Sequence, residues 1–319
     1  MGPIAKAIMV AYYFFMSVVV CAIGDSRRAF RITGSILGYA RYWVGYVGRG
    51  RSRKVYLTYM REALADKNEN EIRQILKQFW CNHQKCLLEL FLFSRISRNS
   101  LAKLVEFRGL EHLDQALKAG RGVVLAVPHF GNERFLHIAL ALKGYPMNVL
   151  SAKYDDIPRV LSKLRLRTSS RFHNIGTVGD DLRWMFECLK RNEILQIAPT
   201  GEPGTKGVRA KLLGQEVYLA SGPARVALHA GSAFLPAFIT RTPDDRHIVE
   251  ILAPICCSSE DGGDANASDV TLAFARILED RVRRAPEQFN WTWWVMRRQE
   301  AEGREPKRNG QHPSPERLV

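Results

Sequence analysis

His129 directly follows the apolar run Val123 to Val127 and Pro128, and a helical pattern begins just after it, near Glu133. The end of a strand is where α/β folds set reactive groups. An imidazole there can be neutral near pH 7 and take the proton of a hydroxyl, provided a carboxylate fixes its tautomer and steadies the imidazolium. Glu133 is the nearest carboxylate. Taken alone, any of the chain's eight histidines is more simply read as a structural hydrogen-bonding group.

Other residues offer less. Ser221-Gly222-Pro223 precedes a helical stretch and could turn backbone N–H groups towards an anion or a developing oxyanion, although an ordinary Gly-Pro helix start explains the same residues. Arg209 and Lys211 alternate with Val208, Ala210 and Leu212, the pattern of a strand with one basic face that is suited to phosphate, to a membrane or simply to solvent. Ser221 lacks the Gly-x-Ser-x-Gly elbow of a nucleophile, and the six cysteines have neither paired zinc spacing nor the density of a disulfide scaffold. No phosphate-cradling glycine loop is present, so nucleotide-driven chemistry has no support. No metal and no cofactor is expected.

Ordered blocks around His129 raise its standing. Phe107-Arg108-Gly109-Leu110-Glu111-His112-Leu113 and Gly120-Arg121-Gly122-Val123-Val124 lead to Pro128-His129-Phe130-Gly131-Asn132. Downstream stand Ala198-Pro199-Thr200-Gly201-Glu202-Pro203-Gly204, Lys206-Gly207-Val208, Ser221-Gly222-Pro223-Ala224-Arg225, and Pro286 to Trp291 with Trp294, Arg297 and Arg298. Over about residues 105 to 298 the chain resembles the lysophospholipid acyltransferase superfamily, in the bacterial branch of lipid A late acyltransferases and phosphatidylinositol mannoside acyltransferases.

The resemblance implies a glycerolipid acyltransferase-like fold and an O-acyltransferase of the inner membrane. A fatty acyl chain would pass from an acyl carrier protein or coenzyme A thioester to a hydroxyl of a membrane glycolipid or lysolipid. It implies His129 as the base, with Asn132, Arg134, Arg209, Ser221, Gly222 and Arg225 as substrate-binding candidates. The family motif places an acid five residues after the histidine, whereas this chain has Arg134 there and Glu133 one residue early. On a helix that shift turns a side chain by about 100°. Glu202 is the second candidate, because in the mannoside acyltransferases an acid of that block partners the histidine. Arg134 suits bidentate contact with an anionic headgroup or a phosphopantetheine phosphate. The missing acid also motivates a rival reading, a non-catalytic relative that binds anionic lipid or acts as an assembly partner.

The elements that must position these residues read as α/β, a mixed sheet flanked by helices. Strands are expected at Val123–Val127, Met147–Leu150, Ile194–Ala198, Ala233–Thr240 and Ile248–Leu252. Helices are expected around Glu133–Lys143, Ile157–Leu166, Asp180–Lys190, Gly222–Ala230 and Ser268–Arg284, the last with Ser268 and Asp269 in capping positions. The chain divides into an anchor at 1–25, a helical membrane-proximal segment at 26–105, the catalytic domain at 106–298 and a charged, disordered tail at 299–319.

Ala7 to Ile23 is apolar apart from Ser17 and would span roughly 26 Å as a helix, enough to cross a bilayer or to lie on it. Between Met1 and Met60 nine basic residues face one acid, Asp25, and most of them follow the apolar run, which places the rest of the chain on the cytoplasmic side. Glycines 34, 38, 45, 48 and 50 interleave with Tyr39, Tyr42, Trp43 and Tyr46 in a pattern that suits an interfacial hairpin or internal packing. The net charge of +15 seeks anionic partners. Bilayer headgroups and an acidic carrier fit it, whereas no nucleic-acid motif is present.

Overall fold

The computed structural model describes residues 15–16, 18–24, 26–44, 53–93, 96, 98–151, 172–177, 182–201, 207–255 and 266–303. Four helices lead: α1 (Arg27–Val44), α2 (Arg53–Ala63), α3 (Glu69–Leu92) and α4 (Arg98–Leu104). Then come β1 (Val105–Arg108), α5 (Leu110–Lys118), β2 (Val123–Ala126), α6 (Glu133–Lys143), β3 (Met147–Ser151) and β4 (Phe172–Thr177). The order continues with α7 (Arg183–Lys190), β5 (Ile194–Ile197), the hairpin β6 (Gly207–Leu212) and β7 (Gln215–Ala220), and α8 (Gly222–Ala230). It closes with β8 (Ala233–Arg241), β9 (His247–Ile251), α9 (Ala267–Arg284) and α10 (Trp291–Ala301).

Seven strands form one sheet in the order β1-β9-β8-β2-β5-β3-β4, parallel throughout except where β8 meets β9. The central strands β2 and β5 are buried at every residue, as strands covered by helices on both faces must be. The mixed α/β sheet matches the expectation, and the five anticipated strands each lie within a residue or so of their reading. β1 and β4 were not anticipated, being short and weakly apolar. The hairpin β6–β7 confirms the alternation at Arg209 and Lys211, whose side chains are exposed while Ala210 and Leu212 are buried. The helix anticipated at Ile157–Leu166 lies outside the described residues. α9 is capped by Asn266, whose side chain accepts from the N–H groups of Ser268 and Asp269, so those two residues are the capped and not the capping ones.

The leading helices are part of the domain's core. One buried cluster joins Tyr42, Met60, Leu76 and Trp80 to Val124, Phe238 and Trp294. α1 is a continuous helix to Val44 whose Gly34 and Gly38 serve packing, while Gly45, Tyr46, Gly48 and Gly50 of the anticipated pattern lie outside the described residues. A Cβ at Gly38 would stand 2.4 Å from Cα of Cys81 on α3, so only glycine permits this approach of two helix backbones. The opposite face of α1 leaves Ile32, Ile36, Tyr39 and Trp43 exposed.

Among the described residues no helix is long and apolar enough to cross a membrane. The expected spanning anchor is therefore unsupported. Residues 7–14 and 17 of its apolar run lie outside the described residues, while Met16, Val20 and Ile23 pack with Phe30 and Leu88. α10 runs on to Ala301, and residues 304–319 of the expected tail lie outside the described residues.

Candidate active site

β2 and β5 are parallel neighbours, so their C-terminal ends leave the sheet side by side. The ladder is prolonged one step by the Val127 N–H donating to the Ile197 carbonyl at 3.1 Å. From there one chain reaches His129 and the other Thr200. Thr200 is fully buried, and its Oγ1 lies 2.9 Å from the backbone N and 2.6 Å from Nδ1 of His129. The backbone N–H must donate to that oxygen. In the tautomer with the hydrogen on Nδ1, this N–H donates to the second lone pair of Oγ1, which leaves Nε2 as the bare base.

The ring is half-buried. Burial is the main cause holding its pKa below the ordinary 6.5; the charge of Glu133 opposes this, and Arg134 and Arg297 reinforce it. His129 is therefore neutral at pH 7 and able to accept a proton.

Glu133 opens α6 half-buried, with Oε1 at 3.7 Å from Nε of Arg134. It acts on His129 through its field, whereas among the described residues the hydrogen-bond partner at Nδ1 is Thr200. Glu133 and Arg134 line a cleft with Asn82 and His83 of α3 and with Glu287 and Asn290. Burial first, then the charges of Arg134 and Arg41, takes His83 down to about 4, so His83 is neutral at pH 7 as well.

The turn carrying His129 is tied from several sides. The His129 carbonyl accepts from the Asn290 N–H at 3.1 Å, and the Gly131 N–H donates to the Gln288 carbonyl at 2.7 Å. Gly131 has φ +62°, and a Cβ there would stand 1.8 Å from the Ile239 carbonyl oxygen, so no side chain is admissible. Asn132 is 2% exposed; its Oδ1 caps α6 by accepting from the Phe135 N–H at 3.3 Å, and its Nδ2 donates to Glu89 Oε2 at 2.6 Å. Both ends of that amide are thus engaged within the fold.

The remaining sequence candidates fall as follows. Glu202 lies outside the described residues. Ser221 is buried at the start of α8 and accepts from Arg225 Nε at 3.1 Å, while Gly222 is exposed beside it. The Ala220 N–H donates to the Pro199 carbonyl at 2.9 Å, which brings the start of α8 near the Thr200 turn. Arg225 also lines a shallow groove with Phe186 and His229. Arg209 pairs with Glu216 across the β6–β7 hairpin on the exposed face.

Thr200 was missed in sequence reasoning, though it sits inside a quoted block after a strand. Glu89, Arg241, His247 and Arg297 were missed as well; they come from four separate elements, and no local pattern links them.

Over residues 8–298 the sequence matches the family described as bacterial lipid A biosynthesis acyltransferase. The chain belongs to this family. It is similar to a phosphatidylinositol mannoside acyltransferase of Mycobacterium tuberculosis, 27% identical over 153 residues, which is 46% of this chain and 48% of that protein. It is similar to a lipid A biosynthesis lauroyltransferase of Escherichia coli, 25% identical over 199 residues, covering 60% of this chain and 61% of the relative. A lipid A biosynthesis acyltransferase of Haemophilus influenzae is 25% identical over 271 residues, 84% of this chain and 82% of its own length. The chain thus spans about half the length of the first of these relatives.

Proposed function

We propose that this chain is an O-acyltransferase that moves a fatty acyl group from an acyl carrier protein or coenzyme A thioester to a hydroxyl of a membrane glycolipid or lysolipid. The observation that carries this reading is His129 at the end of β2, neutral and with Nδ1 seated on Thr200 Oγ1. Nε2 takes the proton of the acceptor hydroxyl, and the oxygen attacks the thioester carbonyl. The tetrahedral intermediate then collapses, breaking the C–S bond, and the imidazolium returns its proton to the departing thiolate. Thr200 orients the ring, and the negative field of Glu133 steadies the imidazolium. Glu202 remains a candidate second carboxylate from the family resemblance. Arg134, Arg209 and Arg225 are candidates for the phosphates of donor or acceptor, and Ser221-Gly222 for a backbone anion contact.

The protein works on this reading at the cytoplasmic face of the inner membrane. Support comes from the uncovered stripe Ile32, Ile36, Tyr39 and Trp43 on α1, next to a basic N-terminal region that suits anionic headgroups. Acyl transfer from a labelled thioester by isolated membranes is the test. If His129→Ala retained full activity, the mechanism would be wrong. The rival reading, a non-catalytic lipid-binding relative, draws on Arg134 in the place of the family's acid, and lipid binding without turnover in the wild-type protein would favour it.

A further inference from the structure

Behind the His129 turn lies a buried ionic cluster to which the chemistry above assigns no part; Glu89 and His247 also line a cavity beside α1. Glu89 on α3 is 8% exposed, and its carboxylate accepts from four donors. Oε1 takes NH1 of Arg241 and Nε2 of His247, each at 2.8 Å. Oε2 takes NH2 of Arg241 and Nδ2 of Asn132, each at 2.6 Å. Only an ionised carboxylate offers enough acceptor sites for all four. Arg241 ends β8, and His247 begins β9; both are fixed by the sheet. The sheet thus holds Glu89, and Glu89 holds the amide that caps α6 three residues beyond His129.

We propose that Glu89, clamped by Arg241 and His247, is a positioning residue for acyl transfer: it sets the His129 turn through its hydrogen bond to Asn132. The cap and the strut are separate functions of one amide. Oδ1 needs only the helix N–H groups, and any N-cap residue supplies that; Nδ2 donates to a carboxylate that nothing about helix capping requires. A cluster built only for stability could equally be apolar, since well-packed hydrophobic residues replace buried ion pairs at little or no cost. This assignment rests on His129 as the base, and loss of activity in His129→Ala tests that premise separately.

The experiment is a cycle on kcat and KM with the full-length chain in membranes, each variant first checked for folding by thermal unfolding. Glu89→Met with Arg241→Met removes the clamp without leaving either charge unpaired. Asn132→Ser keeps a helix cap but cannot reach Glu89. Each is expected to lower kcat about tenfold or more with KM for the thioester within about threefold. Combining them should lower kcat no further than the worse of the two, because both break one link. Should the paired methionines fail to fold, Glu89→Asp keeps the charge, withdraws it by one methylene and enters the same cycle. A folded clamp variant with kcat unchanged would overturn the proposal, and so would effects that multiply, since these would mean Glu89 acts by a route other than Asn132.

Discussion

The two sides of the His129 turn are built on opposite terms. In front, among the described residues, the imidazole meets Thr200 at Nδ1, and the carboxylate of Glu133 lies 3.7 Å from Arg134. Behind, Glu89 has its four acceptor positions filled, and Asp245 holds both Lys85 at 2.7 Å and Arg31 at 2.9 Å. Among the described residues, the group proposed to change protonation has few partners, whereas the one that stays ionised is saturated. Burial lowers the pKa of His129. For Glu89, burial alone would raise the carboxyl, but Arg241 and His247 outweigh it and hold it well below the usual carboxylate range.

The largest effects should separate the two sides cleanly. His129→Ala is expected to reduce kcat by about 10²- to 10⁴-fold, the scale of a lost general base, with little change in unfolding temperature. Glu89→Ala should lower kcat only about tenfold but cost about 3–5 kcal/mol of stability, because the buried Arg241 loses its hydrogen-bonded carboxylate and keeps only Asp245 at 3.7 Å. Denaturant unfolding measures it, and a stable Glu89→Ala protein would erase the distinction.

Thr200 lies at the boundary and sharpens the comparison. Thr200→Val keeps the shape and removes the acceptor for Nδ1, so kcat should fall about tenfold or more while Thr200→Ser retains most of it. Equal losses in both variants would mean that the methyl packing, and not the oxygen, matters there.

The pH dependence comes next. The acid limb of kcat/KM should lie below 6.5, since burial depresses His129. Glu133→Gln removes a charge that raises this pKa and should move the limb lower, while Arg134→Gln removes one that lowers it and should move the limb higher. Stability carries the signature of the other side. His247 is also depressed, chiefly by burial, so the unfolded chain takes up a proton first as pH falls below about 6.5 and stability declines. Glu89, likewise depressed, adds a further loss at lower pH, below the ordinary carboxylate value of 4.5. Both contributions have the same sign, so the unfolding temperature should fall steadily from pH 7 to pH 4.

The smallest effect expected is on a face that touches neither side of the turn. Ile36→Ser with Trp43→Ser should weaken co-sedimentation with anionic vesicles several-fold and leave activity on a detergent-solubilised acceptor nearly unchanged. A loss of solution activity would mean that the α1 stripe supports the site directly.

Legibility followed the range of the interactions involved. Periodicity located the central strands and placed α6 and α8 at Glu133–Lys143 and Gly222–Ala230, because buried strands and amphipathic helices write their environment into neighbouring residues. The same local logic marked His129 at a strand end. It left the glycines of α1 open between an interfacial hairpin and internal packing, since Gly34 and Gly38 answer to α3, some 45 residues away, and nothing nearby announces that contact. It offered Glu133 along the helix, beside Glu202 from the family resemblance, as the partner acid of His129, and gave no sign that the sheet brings Thr200 to Nδ1 from 71 residues downstream.

Sequence alone determined the α/β class, the turn that carries His129 and the departure at Arg134, all of which are properties of contiguous residues. Tertiary structure decided which atom meets Nδ1 and which carboxylate stands behind the turn. Those pairings depend on strand order: β5 lies beside β2, and the β8–β9 end faces α3. Adjacency in a sheet is settled by the packing of the whole core, and a linear pattern of residue types does not encode it.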